Sequence, residues 1–78
     1  MKIKETYRSK DLYESALLYA SDKKLLSTEK EDNRVWFIFE DKDSCEELST
    51  AYWNKTAQVE AKAFADALRT LKDMIFNR

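Results

Sequence analysis

The chain has 78 residues, of which 44% are hydrophobic and 37% charged, and its formal net charge is −1. This length suits one domain, residues 1–78, and the apolar share is too high for a disordered protein. Glycine, proline and histidine are all missing. Because histidine is the commonest general base and metal ligand, we expect no enzymatic activity, no bound metal and no cofactor.

The N-terminal stretch MKIKETYRSK is basic, and no apolar segment follows it, which argues against a secretory signal. No apolar run approaches the roughly 18 residues needed to cross a bilayer. The single cysteine, Cys45, cannot form an internal disulfide, which fits a reducing compartment. We therefore expect a cytoplasmic protein with no membrane partner.

The N-terminal third predicts a short extended stretch and then a helix. The extended stretch lies around residues 3–7, from Ile3 onward. After it, Leu12, Ala16 and Tyr19 recur at the spacing of one helix face, which places a helix at about residues 10–21.

Helix starts carry recognisable capping residues. Ser9 or Asp11 can cap the first helix, and Asp43 or Ser44 the second. Asp11, Asp43 and Ser44 are each followed three residues later by a glutamate, which is the spacing of a capping box. With no glycine, left-handed turn positions should fall to three candidates, Asp22, Asn33 and Asn54.

Residues 25–40 predict a β-hairpin. Leu25 to Glu29 form the first arm, residues 30–33 a polar four-residue connection, and Arg34 to Glu40 the second arm. The second arm is rich in β-branched and aromatic residues, which favour strands.

The second arm is apolar on both of its faces. Side chains alternate along a strand, so Val35, Phe37 and Phe39 point one way while Trp36 and Ile38 point the other. We expect the final helix to cover the first face. The first helix or a second copy of the chain would then cover the face with Trp36 and Ile38.

The C-terminal half predicts two helices separated by a break at residues 54–56. The last helix has an apolar stripe at i, i+4, i+7 and i+11, formed by Phe64, Leu68, Leu71 and Ile75. The predicted architecture is an α+β domain of order β-α-β-β-α-α, with an antiparallel hairpin packed against helices.

Four segments resemble one family: YRSKDLY at residues 7–13, FIFED at 37–41, AYWN at 51–54 and VEAKAFADALRTLK at 59–72. Together they are similar to small, single-domain microbial proteins known only as a domain of unknown function. The resemblance implies the fold, but no activity, cofactor or catalytic residue. Members often have a glycine after the first helix and a proline before the last, and this chain has neither.

An acidic run from Glu40 to Glu47 has two interpretations. Its spacing does not fit a calcium loop, because Glu46 and Tyr52 occupy the positions that need a glycine and a bidentate glutamate. It is either a solvated helix start with favourable dipole placement or a contact for a basic partner. With the nearby aromatics it forms a candidate partner surface: Trp36, Ile38, Asp41, Asp43, Glu46, Glu47, Tyr52 and Trp53.

Nucleic acid is the alternative partner. Aromatics on a strand can stack on bases, and the candidate contacts are Arg34, Trp36, Lys62, Arg69 and Lys72. The opposite interpretation is that Trp36 lies in the core or in a dimer interface. On the last helix, interleaved aspartates would make a mixed, solvated face.

Cys45 lies among five carboxylates, which should raise its thiol pKa, so we expect a small, partly buried residue rather than a nucleophile. The sequence thus predicts a non-enzymatic binding module that acts through a protein–protein surface. Such a module could be a phage- or mobile-element-encoded modulator of a host protein. Its partner is another protein or a second copy of the chain, as a homodimer.

Overall fold

The computed structural model describes residues 5–76. The three strands form one antiparallel sheet in the order β1-β3-β2, which confirms the α+β class and the hairpin packed against helices. The elements in chain order are β1 (Thr6–Ser9), α1 (Leu12–Ala20), β2 (Leu25–Glu31), β3 (Arg34–Glu40), α2 (Lys42–Trp53) and α3 (Ala61–Phe76).

The apolar strand β3 lies in the centre of the sheet. On one side, β1 places Tyr7 opposite Phe39 and Ser9 opposite Phe37. On the other side, β2 places Leu25 opposite Phe39, with an irregularity between Leu25 and Ser27. The first strand extends to Ser9, beyond its predicted end at Tyr7, and Ile3, where the prediction started, lies outside the described residues.

The hairpin turn is shorter than predicted. Lys30 and Glu31 pair with β3, so only Asp32 and Asn33 connect the strands, and the four-residue connection was wrong. The positive φ angle, 57°, falls on Asp32 rather than on Asn33. A two-residue hairpin turn requires this left-handed backbone, and aspartate tolerates it nearly as well as asparagine.

All three helices contribute to one core on the Phe37 and Phe39 side of the sheet. α1 packs chiefly against α3 and also against α2. The fully enclosed members of this core include Ala16 and Leu18 of α1, Cys45 of α2, and Leu71 of α3. Phe64, Leu68 and Ile75 pack around it, as the predicted stripe requires.

Side chains of neighbouring strands, rather than the first helix, cover Trp36 on the other face of the sheet. The Arg8 guanidinium lies 4.5 Å from the centroid of the Trp36 ring, and the Lys10 Nζ lies 5.5 Å from it. The indole Nε1–H of Trp36 donates to Glu31 at 3.1 Å. Because α1 packs in the core on the other side of the sheet, the alternative in which the first helix covers this face was wrong.

Helix α1 begins close to its predicted start and ends in a hydrogen-bonded C-terminal motif. Asp11 is its N-cap and accepts from the backbone N–H of Glu14 at 2.9 Å. At its other end the N–H of Lys23 donates to the carbonyl of Leu18 at 3.0 Å, a Schellman motif. Asp22 has the positive φ, 67°, that this motif needs, as predicted.

Helix α2 is capped by Asp41, not by Asp43 or Ser44. The Asp41 side chain accepts from the backbone N–H of Ser44, and its own φ is 71°. The reason is geometric: β3 ends at Glu40 and α2 starts at Lys42, so Asp41 alone must turn the chain from strand to helix.

The end of α2 also forms a Schellman motif. The N–H of Thr56 donates to the carbonyl of Ala51 at 2.8 Å, and that of Lys55 donates to Tyr52 at 3.1 Å. The predicted break is confirmed, but the left-handed residue is Lys55, with φ 63°, rather than Asn54, with φ −85°.

Replacing Lys55 with glycine should stabilise the protein by about 0.5–1 kcal/mol, since a side chain in the left-handed region costs about 1–2 kcal/mol and glycine's unfolded-state entropy offsets part of the gain. Urea unfolding measures the change. The matched control is Lys24→Gly, because Lys24 is also exposed and is not among the residues with positive φ. That control should lose stability, and a loss in Lys55→Gly as well would contradict the prediction.

Candidate functional site

Five residues of α2 share one exposed helix face. They recur at i, i+3, i+4, i+7 and i+10, so they lie along one side of the helix. We call this set the α2 face: Asp43, Glu46, Glu47, Thr50 and Trp53, all exposed. The buried side of α2 is anchored by Cys45 in the core. Acidic groups therefore occupy the first half of the α2 face, and an aromatic side chain ends it.

Trp53 stands against a second aromatic ring at the end of the α2 face. Its side chain is 61% exposed, and its ring lies 5.0 Å from that of Tyr52 at an interplanar angle of 81°. This edge-to-face arrangement is favourable for aromatic pairs. Tyr52 itself is half-buried.

Helix α1 adds a third aromatic residue and negative charge near this pair. Burial raises the pKa of Tyr52, and the charges of Asp11, Glu14 and Tyr13 raise it further, so these groups lie within electrostatic reach of the ring. Tyr13 is 51% exposed. We call the set Tyr13, Tyr52 and Trp53 the aromatic corner.

The other predicted partner residues do not join the α2 face. Trp36 and Ile38 lie on the opposite side of the sheet from the helices, and Ile38 is only 7% exposed, so it offers little area to a partner. Asp41 is half-buried as the α2 N-cap, so its carboxylate serves the helix start.

The predicted nucleic-acid contacts fall on two separate surfaces. Arg34 and Trp36 lie on the strand β3, while the other three lie on α3, which packs on the far side of the sheet. On α3, Asp66 pairs with Lys62 at 3.2 Å and with Arg69 at 3.8 Å. These pairs are typical of a mixed, solvated helix face rather than of a phosphate track.

A shallow, open groove runs beside the same basic residues of α3. Its lining combines apolar and oppositely charged side chains: Ala65, Leu68, Arg69, Lys72 and Asp73. Such a lining has no single charge that would select a ligand.

Sequence reasoning missed a buried carboxylate, that of Glu14. It is 5% exposed and accepts from the hydroxyls of Tyr7 at 2.9 Å and Ser9 at 2.5 Å. The Ser49 hydroxyl donates to it as well. The network joins β1, α1 and α2, and burial together with the Glu14 carboxylate raises the pKa of Tyr7.

The sequence did contain a signal for this network. Glu14 precedes Leu17 and Leu18 by three and four positions, so it lies on the buried stripe of α1. In a capping box, the Glu14 carboxylate would accept from the backbone N–H of Asp11, but that N–H donates to Ser9 instead, at 3.3 Å.

Cys45 is completely buried, more deeply than predicted, and its Sγ donates to the carbonyl of Glu40 at 3.5 Å. Its thiol pKa is raised, as expected from the sequence, but the largest cause is burial, to which the charges of Asp41 and Glu14 add. A neutral, inaccessible thiol is a packing residue rather than a nucleophile.

Within the described range 5–76, no three histidine, cysteine, aspartate or glutamate side chains are grouped closely enough to hold a metal ion. In the same range, none of the helices is both long and apolar enough to span a membrane.

No curated protein sequence and no solved structure matches the chain. One family model does match, and it covers residues 4–77, which is nearly the whole sequence. The resemblance seen in the four sequence segments is therefore confirmed. The chain belongs to the family described as a domain of unknown function, DUF5659.

Proposed function

We propose that the chain is a non-enzymatic module that binds a basic surface of another protein through the α2 face. The observation that carries this proposal is the exposure of Trp53 at the end of a helix face that also presents Asp43, Glu46 and Glu47. Exposed tryptophan is a favoured anchor of protein interfaces. Charged side chains around such an anchor steer encounter and select the partner.

The charge of the α2 face favours a different protein over a second copy of the chain. A two-fold dimer uses the same patch on both subunits. Pairing two α2 faces would therefore put Asp43, Glu46 and Glu47 of both copies into one interface, and the α2 face has no basic residue to pair with them. Like charges placed opposite each other across an interface weaken binding by roughly several kcal/mol. A basic partner surface has no such penalty.

Nucleic acid receives less support. Trp36, the proposed stacking residue, lies under the Arg8 guanidinium, and Glu29 and Glu31 are close by on the same face. A phosphate backbone would have to overcome these carboxylates. We further place the encounter in the cytoplasm, where the thiol of Cys45 would stay reduced.

Replacing Trp53 with alanine should reduce retention of the partner by about fivefold or more, because truncating a central anchor commonly costs more than about 1 kcal/mol. The immobilised full chain is exposed to extract of the cells that produce it, and retained proteins are quantified by mass spectrometry. The charge-reversal variant Glu46→Lys/Glu47→Lys should lose the same protein, because it repels a basic surface.

Trp36→Phe is the matched control, since it changes a tryptophan on the opposite side of the sheet and should retain the partner fully. A protein kept by the wild type and this control, but lost by both α2 variants, supports the proposal. If nuclease treatment abolishes the retention, the chain binds nucleic acid rather than the protein, and the proposal is wrong. Light scattering of the purified chain should give a monomer of 9.3 kDa, and a dimer that Trp53→Ala dissociates would also overturn the proposal.

A further inference from the structure

On the face of the sheet opposite the helices, the chain binds the guanidinium group of its own Arg8. Arg8 lies over the Trp36 ring at 4.5 Å, and its Nη2 reaches the Glu29 carboxylate at 3.4 Å. The aromatic ring thus contacts the plane of the guanidinium group, and the carboxylate pairs with its N–H edge.

The aromatic corner and the α2 face together present the same two kinds of group, aromatic rings and exposed carboxylates. Trp53 is largely exposed, and Tyr52 stands nearly perpendicular to it, so the two rings form two walls. Along the same side of α2, the exposed carboxylates of Asp43, Glu46 and Glu47 precede Trp53, so the corner stands at the end of an acidic surface. Between residues 5 and 76, the cation–π contacts that the structure shows both involve Trp36, and none involves Trp53.

We infer that the aromatic corner binds an arginine side chain of the partner protein. This inference rests on the proposed function and names the group that Trp53 would contact. Arginine suits the corner better than lysine, because its planar guanidinium stacks on an aromatic face and is more weakly hydrated than an ammonium group. The acidic first half of the α2 face would then contact further basic residues of the same partner.

A labelled penta-arginine peptide tests the inference without the natural partner. Its binding to the full chain is followed by fluorescence anisotropy, beside penta-lysine of equal charge and penta-citrulline, which keeps the shape of arginine but not its charge. We expect penta-arginine to bind at least about threefold more tightly than penta-lysine, a difference of the size that cation–π contacts supply at exposed sites. Penta-citrulline should show no saturable binding.

Two variants test whether the preference for arginine over lysine arises at the aromatic corner. Trp53→Ala should remove the preference for arginine over lysine, whereas Trp36→Phe should keep it. Equal binding of the two cationic peptides, saturable binding of penta-citrulline, or an arginine preference that survives Trp53→Ala would each overturn the inference. Thermal unfolding should show that both variants remain folded at the assay temperature, since each changes a side chain outside the core.

The two proposals fail in different ways. If the natural partner is retained through Trp53 but penta-arginine shows no preference, the arginine inference is wrong and the binding module stands. If penta-arginine binds at the corner but no protein depends on Trp53, the proposed function is wrong.

Discussion

Replacing Phe39 with alanine is expected to lower the free energy of unfolding by about 3–5 kcal/mol, the usual cost of removing a buried phenylalanine side chain. Phe39 has no exposed surface and lies on the central strand, opposite Tyr7 of β1 and Leu25 of β2. Truncation would leave a cavity at the point where the sheet meets the helices. Urea unfolding, monitored by circular dichroism, measures the loss.

Phe76→Ala is the matched control, because Phe76 is 74% exposed and its removal should change stability by less than about 0.5 kcal/mol. Phe39→Leu keeps most of the volume and should cost about 1 kcal/mol, so the prediction remains measurable if the alanine variant does not fold. Equal stabilities of the Phe39→Ala and Phe76→Ala variants would contradict the described core.

Replacing Glu14 with alanine is expected to cost about 2–4 kcal/mol, because it deprives several hydroxyl donors of their acceptor. The Ser9 hydroxyl is buried, so water cannot easily replace the carboxylate there. The Tyr7 and Ser49 hydroxyls are only partly buried and should contribute less. Chemical unfolding near neutral pH measures the change.

Glu47→Ala provides the control for Glu14, as an exposed glutamate on another helix. A double-mutant cycle with Tyr7→Phe adds a sharper test. Removing the Tyr7 hydroxyl should cost less in the Glu14→Ala background than in the wild type, because the two groups interact directly. Additive effects of the two changes would show that the hydrogen bond between Tyr7 and Glu14 contributes no stability.

The strongest sequence patterns predicted the elements that carry the core. The row from Val35 to Phe39 indicated a strand, and the stripe through Leu71 indicated the last helix, because both depend on spacing along the chain alone. The break after α2 was also predicted, but the wrong residue was assigned the left-handed angle, since Lys55 is placed there by the hydrogen bonds of the motif.

Elements that depend on distant partners were predicted less well. The strand β1 has the polar sequence TYRS, and its strand geometry comes from pairing with β3. The two-residue turn likewise follows from pairing that extends to Glu31, which local turn preferences did not indicate. Asp41 is the N-cap of α2 because it is the single residue between the end of β3 and the start of α2.

The sequence by itself determined the α+β class and the family, because strand and helix periodicity and the four family segments are properties of the chain alone. Only the tertiary structure decided which tryptophan is accessible. Trp53 remains exposed, whereas Trp36 is covered by Arg8 from another strand. Burial depends on neighbours far away in the chain, and periodicity contains no information about them.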